Sequence, residues 1–298
     1  MRVRALVTGA SGFVGTHLGE LLARAGDIEI PSTSNITDRD ALIAEFTAAE
    51  PDVVYHLAAQ ADVGGSWNRP VETFRVNAEG TLNVLDAARI AGATRVVAVT
   101  SADLYGKVTE ADMPLTEAHP LRPVSPYGVS KAAADLICVQ AGLAYDLEVI
   151  RVRAFNHLGP GQSDAFVASA IASRIARAEA EGRDSISVGN LEARRDFTDV
   201  RDVVHAYRAL MLAGEPGEAY HVCSGRDRSV QELADILIAH SSADITLETD
   251  PELMRPVDLK VLRGDNSKIS ERTSWSPTIP IEQTLKDLLE HWRGEDLS

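Results

Sequence analysis

A tyrosine and a lysine stand four residues apart in Ser125-Pro126-Tyr127-Gly128-Val129-Ser130-Lys131, where a helical pattern begins, so their side chains share one helix face. A free phenol titrates near ~10 and is a poor proton-transfer group at neutral pH. An ammonium about 4 Å away, at an effective dielectric near ~20, is worth ~4 kcal/mol toward phenolate, or about three pKa units. The spacing therefore predicts that Lys131 acidifies Tyr127 into a working acid/base. Ser101 closes a β-branched run over 95–101. It is expected at the carboxyl edge of that strand, where open α/β sheets bind ligands, within reach of the same substrate oxygen.

A second constellation precedes it. Gly9-Ala10-Ser11-Gly12-Phe13-Val14-Gly15 follows the first β-branched run and opens a helical pattern. In that setting Gly9 permits a tight turn, Gly12 lets backbone approach a pyrophosphate on the helix N-terminus, and Gly15 allows close helix-to-strand packing. The spacing of these glycines resembles that of the short-chain dehydrogenase/reductases, and the resemblance implies a nicotinamide dinucleotide as cofactor. NAD is usually selected by an acid at the end of the second strand, but here that strand runs into Pro31-Ser32-Thr33-Ser34-Asn35. These small hydroxyl residues favour NADP(H) over NAD(H), although no arginine clamp accompanies them.

These groups need a scaffold, and the pattern supplies one. Short β-branched runs at 2–8, 28–32, 52–58, 95–101 and 147–154 alternate with amphipathic helical segments, such as that carrying Leu18, Leu21, Leu22 and Ala25. This is the signature of βαβ units and predicts a Rossmann-type, doubly wound parallel sheet. The alternation breaks after Asn156 and resumes near Val200, with a strand at 219–223 expected to rejoin the sheet. Residues 1–155 and 197–223 are thus assigned to a dinucleotide-binding domain. Residues 156–196 and 224–298 are assigned to a smaller mixed α/β C-terminal lobe. A capping box, Ser229 with Glu232, and Pro280 mark two helix starts in that lobe. Helices over 76–91 and 127–142 are too apolar for a fully solvated outer face and are expected to form a subunit interface.

Composition narrows the function. Of 298 residues, 29 are Lys or Arg and 44 are Asp or Glu, a formal charge of −15 that repels nucleic acid and anionic membranes. Two cysteines, Cys138 and Cys223, suit a reduced, cytoplasmic chain. No apolar run approaches a membrane span, and the first residues meet glycines too soon for a secretory leader. No His/Asp/Glu cluster has metal-ligand spacing, so no metal is expected.

Gly9 to Gly15, His56-Leu57-Ala58-Ala59, Asn77 in Val-Asn-Ala-Glu-Gly-Thr, Ser101 with Tyr105-Gly106, and Tyr127 with Lys131 together resemble the extended short-chain dehydrogenase/reductases that act on nucleotide sugars. Phe155-Asn156-His157-Leu-Gly-Pro-Gly-Gln162, the stretch from Val188 through Arg195 to Asp202, Tyr220-His-Val-Cys-Ser-Gly225 and Arg255-Pro256 are similar to the GDP-6-deoxy-4-keto-D-mannose reductases within that branch. The likeness runs through Trp275-Ser-Pro277. It implies reduction of the C4 ketone of a GDP-4-keto-6-deoxy sugar to GDP-D-rhamnose. Tyr127 would be the acid, Ser101 would orient the oxygen, and Lys131 would also bond the nicotinamide ribose. Leu57, Ala58 and Ala59 would line the ribose-phosphate side, with Asn35 and Ile36 near the adenine. Arg195 and Arg255 would meet the diphosphate, Asn156 and Ser66 the sugar side, and the segment from Val188 the base. His56 is read as structural and His157 has no part in proton transfer. A homodimer packed through the two apolar helices is implied.

Three alternatives remain at this stage. A 4,6-dehydratase would need a further base, and Asp103 stands where those enzymes carry glutamate; a 4-epimerase fits the long motifs less well. A non-enzymatic dinucleotide sensor would typically have lost Tyr127 or Lys131.

Overall fold

A computed structural model describes residues 2–253 and 259–295. Strands β1 (Arg4–Thr8), β2 (Ile28–Pro31), β3 (Val53–His56), β4 (Arg95–Val99) and β5 (Glu148–Ala154) alternate with helices α1 (Phe13–Ala25), α2 (Arg39–Ala49), α3 (Pro70–Phe74), α4 (Gly80–Ile90) and α5 (Pro126–Tyr145). The chain continues through β6 (Asn156–Leu158), α6 (Val167–Glu181), β7 (Ser185–Val188), β8 (Arg194–Asp199) and α7 (Val200–Ala213), then returns as β9 (Ala219–Val222). It ends through β10 (Asp227–Ser229), α8 (Val230–Ala239), β11 (Thr246–Thr249), β12 (Val261–Leu262), α9 (Ser267–Thr273) and α10 (Ile281–Gly294).

Six strands form one parallel sheet in the order β2-β1-β3-β4-β5-β9. Both faces are covered, which is why the strands read as nearly continuous apolar runs. Alternation sends Ala5 and Val7 to a core with Leu18, Leu22, Tyr207 and Leu210, while Leu6 joins Phe46, Val84 and Leu85 on the other side. The chain leaves β1 for β2 on one flank, then crosses back to β3 on the other. The carboxyl ends of β1 and β3 therefore border the crevice where a doubly wound sheet takes its ligand.

The second lobe has a core of its own, in which Ile171 and Ile175 of α6 meet Leu233 and Leu237 of α8 and Leu285 and Leu288 of α10. Its small mixed sheet is centred on β8, which pairs with β6, β10 and β12. The Ser229–Glu232 capping box closes as the sequence predicts, whereas Pro280 occupies the N-cap of α10, one residue ahead of the helix.

Two differences from the sequence reading matter for the site. The third strand ends at His56 instead of Ala58, which frees Leu57, Ala58 and Ala59 as a loop at the sheet edge. The helix expected over 76–91 starts earlier, and α3 runs into α4 through a wider π-helical turn at Arg75–Glu79 that carries Asn77. Such a turn widens the helix and redirects its side chains, a feature frequent at functional sites.

Candidate active site

The glycine turn sits at the end of β1. Gly9 has a φ of +73°, and a Cβ there would lie 2.8 Å from the Ala58 nitrogen. A Cβ at Gly15 would come within 2.3 Å of the Gly9 oxygen. Both positions exclude any side chain, so turn, helix and the loop after β3 are drawn into contact. Gly12 is the N-cap of α1, offers no side-chain cap, and no acid occupies the first helical turn. Uncapped N–H groups at the positive end of a helix suit a pyrophosphate. Ser11 and Gly12 are exposed, whereas Phe13 and Val14 are half-buried behind them. The cradle therefore fits the dinucleotide the sequence implies.

His56 is a fastener and not a proton carrier. Its ring nitrogens meet Thr8 Oγ1 at 2.9 Å and Thr81 Oγ1 at 3.0 Å, tying β3 to β1 and α4. Burial, aided by the nearby Lys131 charge, lowers its pKa to about 3 and keeps the imidazole neutral. Thr8 Oγ1 also accepts from the Ala58 N–H at 3.3 Å, which fixes the loop facing the glycine turn.

Ser101, Tyr127 and Lys131 come together as expected, and all three are buried. Ser125 N-caps α5 by accepting from the Gly128 N–H. Ser101 Oγ accepts from the Asp103 N–H at 3.1 Å and donates to the Asp103 carboxylate at 3.4 Å. Lys131 Nζ lies 6.0 Å from the centre of the Tyr127 ring and donates to the Val99 carbonyl at 3.0 Å.

The predicted acidification of Tyr127 does not hold in this structure. Burial, reinforced by the Asp103 carboxylate, pushes the phenol above its ordinary value, and the neighbouring Ser101 hydroxyl only partly opposes the rise. The Lys131 amine is itself lowered by burial to about 8 and is turned toward a backbone carbonyl. Helical spacing put the two residues on one face, but desolvation of the phenol outweighs the charge. Tyr127 is consequently held as a neutral proton donor.

Several positioning groups were not legible as such. Asn77, on the π turn, accepts from the Gln60 N–H at 2.8 Å and donates to the Gln60 carbonyl and to Ser130 Oγ. Ser130 in turn donates to the Tyr127 carbonyl at 2.7 Å. One turn beyond Lys131, Asp135 accepts both arms of Arg153, at 3.0 and 2.9 Å, and clamps α5 to β5. Ser66, expected near the sugar, is fully buried. Its hydroxyl donates to the Val63 carbonyl and accepts from the Tyr127 N–H, so here it secures the start of α5.

At the end of β2 the hydroxyls expected to receive a 2′-phosphate are already engaged. Ser32 Oγ and Thr33 Oγ1 donate to Glu45 of α2, at 2.7 and 3.0 Å. Asn35 turns its side-chain oxygen to Thr37, and Ile36 is buried against Gly80 with its carbonyl on Asn83.

The second lobe reaches the glycine turn through β6. His157 stacks on Phe13 with ring centres 6.2 Å apart, and His17 meets the Pro160 carbonyl at 2.9 Å. Asn156 begins β6 and is exposed. Arg195 donates to the carbonyls of Arg194 and Leu259. Arg194 pairs with Asp227 and Glu232, and Arg201 with Asp199 and Asp287. Val188 is buried in the lobe core, with its carbonyl bonded to the Asp250 N–H. Arg255 lies outside the described residues. No helix among the described residues is long and apolar enough to cross a membrane.

The family model described as GDP-mannose 4,6 dehydratase matches residues 30–288. The GDP-6-deoxy-D-mannose reductase of Pseudomonas aeruginosa is 37% identical over 99% of this chain and 98% of its own. The solved structure of RMD from Pseudomonas aeruginosa complexed with NADPH superposes with a TM-score of 0.90 at 35% identity, covering 97% of this chain and 99% of that one. A UDP-glucose 4-epimerase from Thermotoga maritima, solved with UDP-glucose, also reaches 0.90, at 26% identity over 97% of this chain and 98% of that one. The backbone is thus shared by enzymes of different chemistry, and the side chains must decide among them.

Proposed function

This chain belongs to the GDP-mannose 4,6 dehydratase family, within the extended short-chain dehydrogenase/reductases, and from that premise we propose that it is an NAD(P)H-dependent nucleotide-sugar 4-ketoreductase. Its substrate is a GDP-4-keto-6-deoxy sugar, and its product is GDP-D-rhamnose. The observation that carries this reading is the buried grouping of Ser101, Tyr127 and Lys131 at the carboxyl edge of the sheet, with Lys131 Nζ 6.0 Å from the centre of the Tyr127 ring. A ketone reductase needs an acid at the moment hydride arrives, whereas dehydratases and epimerases begin by removing a proton from an alcohol. A phenol held protonated suits the first task.

The glycine turn from Gly9 to Gly15, the loop from Leu57 to Ala59 and Lys131 hold the dinucleotide, which when bound supplies the hydride. Ser101 orients the C4 oxygen, and Tyr127 donates its phenolic proton to that oxygen to leave the alcohol. The phenolate that remains lies near the Lys131 amine, which favours it electrostatically until solvent returns a proton. Arg195 and Arg255 bind the diphosphate, Asn156 contacts the sugar side, and the segment after Val188 meets the base. Among the described side chains, Asp103 is the one that favours a dehydratase. Its carboxylate is one methylene shorter than the glutamate of those enzymes, and it accepts from Ser101 Oγ at 3.4 Å.

Two copies associate through α4 and α5. These helices lie side by side and leave Leu82, Ile90, Val129, Leu136 and Leu143 between 42% and 85% exposed, an apolar surface suited to an isologous dimer. The decisive test of activity is incubation with freshly generated GDP-4-keto-6-deoxymannose and either NADH or NADPH. One equivalent of reduced cofactor should be consumed per sugar, with GDP-rhamnose identified by NMR. Net return of the cofactor would instead identify a dehydratase or an epimerase.

A further inference from the structure

The end of β2 lies beside the glycine turn, because the Ser32 N–H donates to the Val7 carbonyl at 2.9 Å. In doubly wound folds an acid about 20 residues after the turn bonds the ribose hydroxyls of NAD, while an arginine there accepts a 2′-phosphate. The strand end itself holds neither. The acid arrives from elsewhere. Glu45, half-buried on α2, receives Ser32 Oγ at 2.7 Å, the Thr33 N–H at 2.7 Å, Thr33 Oγ1 at 3.0 Å and the Ser34 N–H at 3.4 Å. Burial alone would raise its pKa. The bonds from Thr33, Ser32 and Ser34 more than offset that and hold the carboxyl below its ordinary range, so it is charged at neutral pH.

Local charge compounds the effect. Residues 28–49 contain Glu29, Asp38, Asp40 and Glu45 against a single arginine, Arg39. That arginine is turned to Asp86, with Nε 2.9 Å from the carboxylate. A 2′-phosphate entering beside residues 32–34 would meet a fixed carboxylate, hydroxyls already donating to it, and a committed cation. A ribose with free 2′- and 3′-hydroxyls brings no charge to repel.

We propose that Glu45 acts as a specificity-determining residue that makes this protein prefer the dinucleotide lacking a 2′-phosphate, NAD(H), over NADP(H). This rests on the dinucleotide reading of the glycine turn. It reverses the preference that the hydroxyl side chains suggest when read from the sequence.

Binding can be measured without turnover by titrating the purified protein with NADH and with NADPH and following nicotinamide fluorescence. The wild type should bind NADH about tenfold more tightly, and the gap should narrow as salt rises. Glu45→Gln should tighten NADPH severalfold while changing NADH little. Equal or tighter binding of NADPH by the wild type would overturn the proposal, as would a Glu45→Gln change that shifts both ligands alike. The wild-type ratio stands whether or not the variant folds. Binding of neither ligand would sink the dinucleotide reading itself and this inference with it.

Discussion

The Asn77 side-chain amide donates to Ser130 Oγ across 2.9 Å, joining the π turn between α3 and α4 to the helix that carries Tyr127 and Lys131. Asn77 is buried and also closes two bonds with the backbone of Gln60. Asn77→Ala would leave those partners unpaired, at a cost of about 1–3 kcal/mol each. Melting temperature should fall by several degrees. Ser130, which bonds the Tyr127 carbonyl, would lose its anchor, so kcat should fall more than KM changes. An unchanged kcat in a folded Asn77→Ala protein would show that the network serves stability alone.

Tyr127→Phe should remove the proton donor while leaving the glycine cradle intact. Loss of a positioned acid costs about 10²–10⁴ in rate, and reduction of the ketosugar should drop by that factor. Dinucleotide affinity, read by fluorescence titration, should hold within a few-fold. Activity surviving at wild-type levels would refute the assigned acid.

The sheet and the reactive side chains were readable because they depend on local pattern. Short β-branched runs placed the first five strands to within two residues at either end, and a glycine turn after a strand has few other meanings. What escaped the sequence depends on contacts between distant segments. Glu45 lies 13 positions beyond Ser32, and nothing in the helical pattern of α2 marks one of its acids as the partner of the β2 end. The Tyr127 proton affinity depends on burial and on Asp103, neither of which spacing reveals. Ser66 sits in a turn whose hydroxyl could serve substrate or backbone equally well until the position of α5 is known.

Protonation of His56 should couple acidity to unfolding. Its pKa is about 3 in the folded chain against an ordinary value of 6.5, so below 6.5 the unfolded state binds the extra proton. The stability that the neutral ring contributes is full above pH 6.5, declines as pH falls, and is spent by about pH 3. A difference of this size is worth several kcal/mol. Urea unfolding between pH 7 and pH 4 should show a decline that is shallower in His56→Gln. Parallel slopes for the two proteins would exclude this residue as the source.

The apolar faces of α4 and α5 give the last expectation. Leu136 and Leu143 are 60% and 85% exposed on the helix whose opposite face carries the buried Lys131 and Asp135. One helix therefore fixes the catalytic side chains inward and offers a sticky surface outward, so association and positioning share a backbone. Light scattering should give twice the 32.0 kDa chain mass for the wild type. Leu136→Asp combined with Leu143→Asp places charges on the contact without touching the core, and should yield a monomer whose helical circular dichroism is unchanged. Pairing this helix across a two-fold axis would also restrain its tilt, so the monomer should reduce substrate more slowly while binding dinucleotide as before. A wild-type chain that is monomeric at micromolar concentration would remove the interface and that coupling together.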